Sequence, residues 1–294
     1  RRRRNRSPPV KDMEVSPVKT EDFSFCSRRN MLAGTAMFAL GGVAGCSADE
    51  GPVMAEAPPL PWKWVPLDPL EAGRRAFRMY PDPVRGGCGS GAYLSILSLL
   101  KEQVGYPWTT LPDLMMSHAA AGYGGHGTLC GSLGGASCII NLVAYGLGEN
   151  GQIFRQMIDR LYYWYAKQEF PTDRFDDISE MPGQIRVQAM SPLCHTSVSK
   201  WAMAAGAEIS SKAKKERCAK VCGEVVYIVV HAMNEYFEGR WTPPKWEPSA
   251  EIAHCIDCHG PDDMWHSKPS LNHQQGHMEC MLCHTDHTKK GQKG

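Results

Sequence analysis

Cys218-Ala219-Lys220-Val221-Cys222-Gly223-Glu224-Val225-Val226-Tyr227-Ile228-Val229-Val230-His231-Ala232 reads as one face of a helix, with Cys218, Cys222, Val225, Val229 and Ala232 recurring at steps of three and four residues. The stripe places two thiols where an amphipathic helix meets a core. The same period returns at Ile153, Met157, Leu161 and Trp164, after a stretch punctuated by Gly146, Gly148 and Gly151. No strand-turn-strand alternation competes with it between Arg74 and Gly239. The expected fold is mainly α: a helical, cysteine-containing domain over 74–239, followed by a loop-rich segment over 240–294 that begins at the proline-broken run around Trp241, Pro243, Pro244, Trp246 and Pro248. Ahead of the helices, residues 49–73 read as an extended proline-rich arm, with Trp62 and Trp64 as its anchors.

Four more cysteines join Cys218 and Cys222 in the helical domain: Cys88, Cys130, Cys138 and Cys194. Cys88 lies in Gly86-Gly87-Cys88-Gly89-Ser90-Gly91-Ala92, which starts a helix, and Cys130 ends the loop Gly124-Gly125-His126-Gly127-Thr128-Leu129. Backbone so rich in glycine can approach another group closely. Spacing leaves three fates open for these sulfurs: a metal cluster, disulfides once outside the cytoplasm, or inert core, because a free cysteine packs as a small hydrophobe. His195 or His126 could replace one sulfur as a ligand; each alone reads as a structural histidine.

The last segment carries Cys255-Ile256-Asp257-Cys258-His259 and Cys280-Met281-Leu282-Cys283-His284, two copies of the C-x-x-C-H word that attaches a c-type haem. In each, two thiols reach the vinyl groups of one porphyrin edge and the following histidine turns its imidazole to the iron. The competing reading is a four-thiolate zinc site, but the two C-x-x-C pairs are 21 residues apart, just beyond the usual spacing, and such a site needs no histidine. His259 and His284 are therefore the expected proximal ligands. His266, His277 and His273 lie far enough from the first motif to loop back over it, whereas His254 and His287 are better placed to serve the neighbouring haem or a partner subunit. Met264, Met278 and Met281 are the alternative sixth ligands; the abundance of histidine favours two imidazoles and a lower potential. With both axial positions filled by protein, the irons offer no open site, which argues for an electron carrier of redox partner proteins over a haem enzyme that reduces a small molecule or a zinc-stabilised interaction module.

Composition narrows the setting. The 294 residues are 43% hydrophobic, enough for a sizeable core, and a net charge of +1 argues against nucleic-acid binding. The basic run Arg1 to Arg6 reads as peripheral to any fold. Residues 1–48 read as a leader: Arg28-Arg29 enters a small, apolar stretch from Met31 to Gly45, the pattern of a twin-arginine export signal, too short for a comfortable membrane span. Val43-Ala44-Gly45-Cys46 resembles a lipoprotein box, so any membrane attachment is expected through a lipid anchor at Cys46. The expected location is periplasmic. Twin-arginine cargo crosses already folded, commonly around a cofactor inserted in the cytoplasm, whereas haem c is attached after export. Both marks on one chain point to a second cofactor assembled first.

The order of a Cys-Gly helix start, a glycine loop ending in Cys130-Gly131-Ser132-Leu133-Gly134-Gly135, an isolated cysteine and a helical pair resembles the C-GCAxxG-C-C family of redox proteins. With two C-terminal haem words and a twin-arginine signal, the chain is similar to the split-Soret type of cytochrome c, from about Arg74 to His287. That resemblance implies a mainly helical domain, two closely placed bis-histidine haems c, a homodimer, service in anaerobic respiration and an iron-sulfur centre for which Cys88, Cys130, Cys194, Cys218 and Cys222 are the candidates. Cys138 stands outside the pattern, and Gly131-Ser132 stands where the family often has Gly-Ala.

Overall fold

Asp68 opens the first helix, α1 (Pro69–Met79): its carboxylate accepts from the Leu70 and Glu71 N–H groups, and Pro69 supplies a φ suited to a first helical turn. The computed structural model describes residues 57–243, 249–259 and 278–286. Arg28, Arg29 and Cys46 of the leader, and His266, His273, His277 and His287, lie outside them. After α1 come α2 (Cys88–Gln103), α3 (Gly131–Ala144), α4 (Ile153–Lys167), α5 (Cys194–Ala205), α6 (Lys212–Phe237) and α7 (Ala253–His259). One two-residue antiparallel ladder, β1 (Glu169–Phe170) with β2 (Val187–Gln188), is the strand structure among the described residues. The mainly α expectation holds.

The long helix α6 is the axis, packed by α1, α2, α3 and α4. Its N-cap Ser211 accepts from the Lys214 N–H, and Cys222, Val225, Val226, Val229, Val230 and Met233 are all buried. The α1–α6 crossing depends on two glycines. A Cβ on Gly73 would stand 2.9 Å from the Gly223 carbonyl oxygen, and one on Gly223 would stand 2.9 Å from that of Gly73, with the Phe175 ring wedged beside both. Helix α2 is buried nearly all round from Cys88 to Leu100, the mark of an internal helix.

On α4, Ile153, Met157 and Leu161 are buried as their spacing predicts, but the last member of the stripe is Tyr165. Trp164 is half-buried and meets Phe170 edge-on at 5.4 Å. The arm is integral to the core. Trp62 is buried, T-stacked on Trp108 at 5.1 Å, and its backbone N–H donates to the Leu142 carbonyl. The Trp64 indole donates to Asn234 on α6, whose amide donates back to the Leu67 carbonyl at 2.7 Å.

Candidate metal centre

Three helices begin at cysteine. Cys88 and Cys194 are the first residues of α2 and α5, and Cys130 is the N-cap of α3. None of these starts has a side-chain cap or an acidic residue in its first turn, so the unpaired N–H groups and the positive dipole ends have sulfur as their nearest anionic candidate. Helix α6 adds the half-buried Cys218 and the buried Cys222. The glycine loop joins these starts by backbone pairing. Leu129 bridges Leu193, the Cys130 N–H donates to the Pro192 carbonyl at 2.9 Å, and the Cys194 N–H donates to that of Thr128 at 2.7 Å.

Gly131 is required by closeness: a Cβ there would lie 2.5 Å from the Cys88 sulfur and 2.2 Å from the Ala119 carbonyl oxygen. With no side chain in the way, the N–H groups of Gly131 and Ala121 reach the Cys88 sulfur. The Cys222 sulfur stands 3.5 Å from the Cys88 carbonyl oxygen and faces Ser132. Cys88, Cys130, Cys194, Cys218 and Cys222 are close enough that charge on one disfavours charge on the others. Burial first, and this mutual repulsion second, push the Cys88 and Cys194 thiols up to about 12. Burial drives Cys222 well above its ordinary value. Without a metal these groups are thiols.

The structure thus gathers all five candidate cysteines and leaves Cys138 apart, half-buried on α3, where burial alone raises its pKa. His126 and His195 are exposed. None of the described cysteines is in a disulfide. Among the described residues, no three His, Cys, Asp or Glu side chains already stand in metal-holding geometry. The donor set nevertheless fits iron, since soft thiolates suit iron-sulfur clusters and the helix ends favour their ionised form. Sequence reasoning missed the rest of the wall. The Tyr80 phenol faces Cys218 and Cys88, and the Tyr165 phenol faces Cys130; burial lifts both far above their usual range. Arg217 is fully buried beside Cys218. A tyrosine or arginine in a helical run carries no signal of a metal pocket, because how the helices pack decides what surrounds it.

The C-terminal segment is built differently. Cys255 and His259 lie on α7, held by the buried Ile252, and Cys280 opens a single 3-10 turn before Cys283 and His284. The Cys258 side chain is outside the description. Cys280 is raised by burial and then by the neighbouring Cys255 and Glu279, so the leading thiols of both words are neighbours. Glu279 ties them to the helical domain: Lys167 at the end of α4 donates to one carboxylate oxygen and Ser249 to the other, each at 2.6 Å. His254 is exposed, 3.5 Å from the Cys255 sulfur and 3.6 Å from the Asp286 carboxylate. Cys283 and His284 are exposed.

Residues 94–232 match the family described as "Putative redox-active protein (C_GCAxxG_C_C)", a span that takes in Cys130, Cys138, Cys194, Cys218 and Cys222 and starts just after Cys88. Split-Soret cytochrome c of Desulfovibrio desulfuricans is 29% identical over 277 residues, covering 88% of this chain and 94% of that protein. A solved structure of split-Soret cytochrome c from the same organism, described as having a novel iron centre, superposes with a TM-score of 0.66 at 29% identity, over 76% of this chain and 90% of that one. Residues 94–232 therefore match the C_GCAxxG_C_C family model, within a chain similar to split-Soret cytochrome c along most of its length.

Proposed function

We propose that the protein is a periplasmic dihaem c-type cytochrome that passes electrons between redox partner proteins as a homodimer, with an iron-sulfur centre in the thiol pocket of its helical domain. The observation that carries this reading is the meeting of Cys255 and Cys280, which sets two haem-attachment words side by side against a domain that gathers five more thiols. A protein solved with a novel iron centre shares this fold. Location rests on Arg28-Arg29 and the apolar stretch after it; the homodimer rests on the family resemblance.

Haem and iron-sulfur groups supply reversible one-electron chemistry. The chain supplies attachment, charge and insulation. Cys255, Cys258, Cys280 and Cys283 would form the thioethers, with His259 and His284 as proximal ligands and His254, His266, His273, His277 and His287 as the pool of distal ones. Cys88, Cys130, Cys194, Cys218 and Cys222 would supply the sulfurs for iron. The two regions touch through Lys167 and Glu279, so α4 links the thiol pocket, through Tyr165, with the haem segment.

The test is intact mass and metal analysis of protein matured in a strain that attaches haem c. A gain of two haems with iron in excess of two per chain supports the reading. Four alkylatable C-terminal thiols, or zinc in place of iron, overturn it. Ready binding of carbon monoxide by the ferrous protein would favour an open-site haem enzyme instead.

A further inference from the structure

We infer that Arg217 is the positioning cation of the thiol pocket: its guanidinium, held by Ser197, donates to the Cys218 sulfur and balances the negative charge that iron-bound thiolates bring into the core. The inference rests on the iron centre proposed above. Arg217 is 1% exposed. One terminal nitrogen lies 2.7 Å from Ser197 Oγ, which also accepts from the Tyr165 hydroxyl at 2.9 Å. The other lies 3.9 Å from Cys218 Sγ, and the buried Nε has no partner.

The remaining buried charges set the contrast. Lys220 is paired with Asp176 at 2.5 Å, and the buried Glu224 with Arg174 at 3.1 Å. Among the described residues no carboxylate pairs with Arg217. A guanidinium does not shed its proton inside a protein, and an uncompensated buried charge is strongly unfavourable. The groups around it are sulfurs and hydroxyls: Cys218, Cys130, Tyr165 and Ser197. Three helix N-termini without acidic first turns add to the positive potential. The pocket is therefore positive by construction, and sulfur is the anion available to it. Neutral thiols leave that charge unmatched; metal-bound thiolates match it. One-electron reduction of the centre, with no proton taken up, adds one negative charge, which a fixed cation and an N–H···S contact both favour.

The experiment uses the full, haem-matured chain purified without oxygen, as wild type, R217Q, R217K and S197A. Two readouts are taken: non-haem iron retained against a chelator, and the midpoint potential of the non-haem centre in an electron-spin-resonance titration with dithionite. R217Q is expected to hold iron about ten- to a hundredfold less tightly, the loss of one charge-assisted hydrogen bond, and any centre retained is expected to titrate at a more negative potential. R217K keeps the charge without the fork and should retain iron with a smaller negative shift; S197A, which frees the guanidinium, should fall between the two. R217Q with wild-type retention and potential overturns the inference. Should R217Q lose its helical signal, R217K and S197A decide, and wild-type values in both overturn it. Wild type holding iron only in its haems overturns the pocket reading and this inference together, whereas extra iron with unchanged variants sinks Arg217 alone.

Discussion

The thiol pocket and the haem segment both gather cysteines, but they are organised by opposite means. In the pocket, Cys88, Cys130 and Cys222 are buried among tightly crossing helices, and N–H groups already aim at sulfur. In the C-terminal segment, Cys283 and His284 are exposed beside a short turn, and the contacts that hold the described residues include a polar clamp at Glu279 and the buried Ile252. The first site is made by protein packing. The second leaves Cys283 and His284 open to solvent, an arrangement compatible with the covalent attachment of a large planar cofactor proposed above.

The largest effect separates the two regions outright. Replacing Cys280 and Cys283 together by alanine should remove one of two haems, read as a halved pyridine haemochrome signal, while the helical domain keeps its far-ultraviolet signal. Two haems remaining would break the comparison. Cys222→Ser should do the converse, abolishing non-haem iron by metal analysis while leaving the haem signal intact, whereas Cys138→Ala, outside the cluster, should leave both unchanged.

The pocket should also be sensitive to alkali. The Cys88 and Cys194 thiols rise from an ordinary 9.0 to about 12 on folding, so the folded chain holds protons that the unfolded chain releases. Their stabilising contribution is complete below about 9.0 and is lost as pH climbs from there towards about 12. Denaturant melts of metal-free protein should show falling stability across that window, and a flat profile would show that these thiols are not buried together. A smaller effect is expected at the clamp. Glu279→Ala removes the partners of Lys167 and Ser249 and should cost about 1–2 kcal/mol, seen as earlier proteolysis near the C-terminus with α1–α6 intact. Equal loosening of the helical domain would mean that the two regions are one cooperative unit.

Much of the helical architecture was legible because burial imposes a 3.6-residue period on whatever sequence folds that way. The α6 stripe through Cys222, Val225 and Val229 and the α4 stripe through Ile153, Met157 and Leu161 follow from that alone. Trp164, at the expected spacing, packs half-buried against the core, while the fully buried end of the α4 stripe is its neighbour Tyr165, whose hydroxyl has a partner inside. Tyr165 reaches Ser197 on another helix, a contact that no local pattern encodes. Cys138 and the five pocket cysteines look alike as residues; what separates them is which helix starts converge.

The sequence by itself determined the chemistry on offer: paired thiols followed by histidine, a reserve of further histidines, and glycines beside cysteines. These are properties of residue type and short spacing, which survive without a fold. Tertiary structure alone decided which sulfurs meet, that Arg217 is buried against them with no carboxylate partner among the described residues, and that Lys167 and Ser249 hold the second C-x-x-C-H word through Glu279. The sulfur cluster, the Arg217–Ser197 contact and the Glu279 clamp join residues well separated along the chain, and the packing that creates them leaves no periodic trace in the sequence.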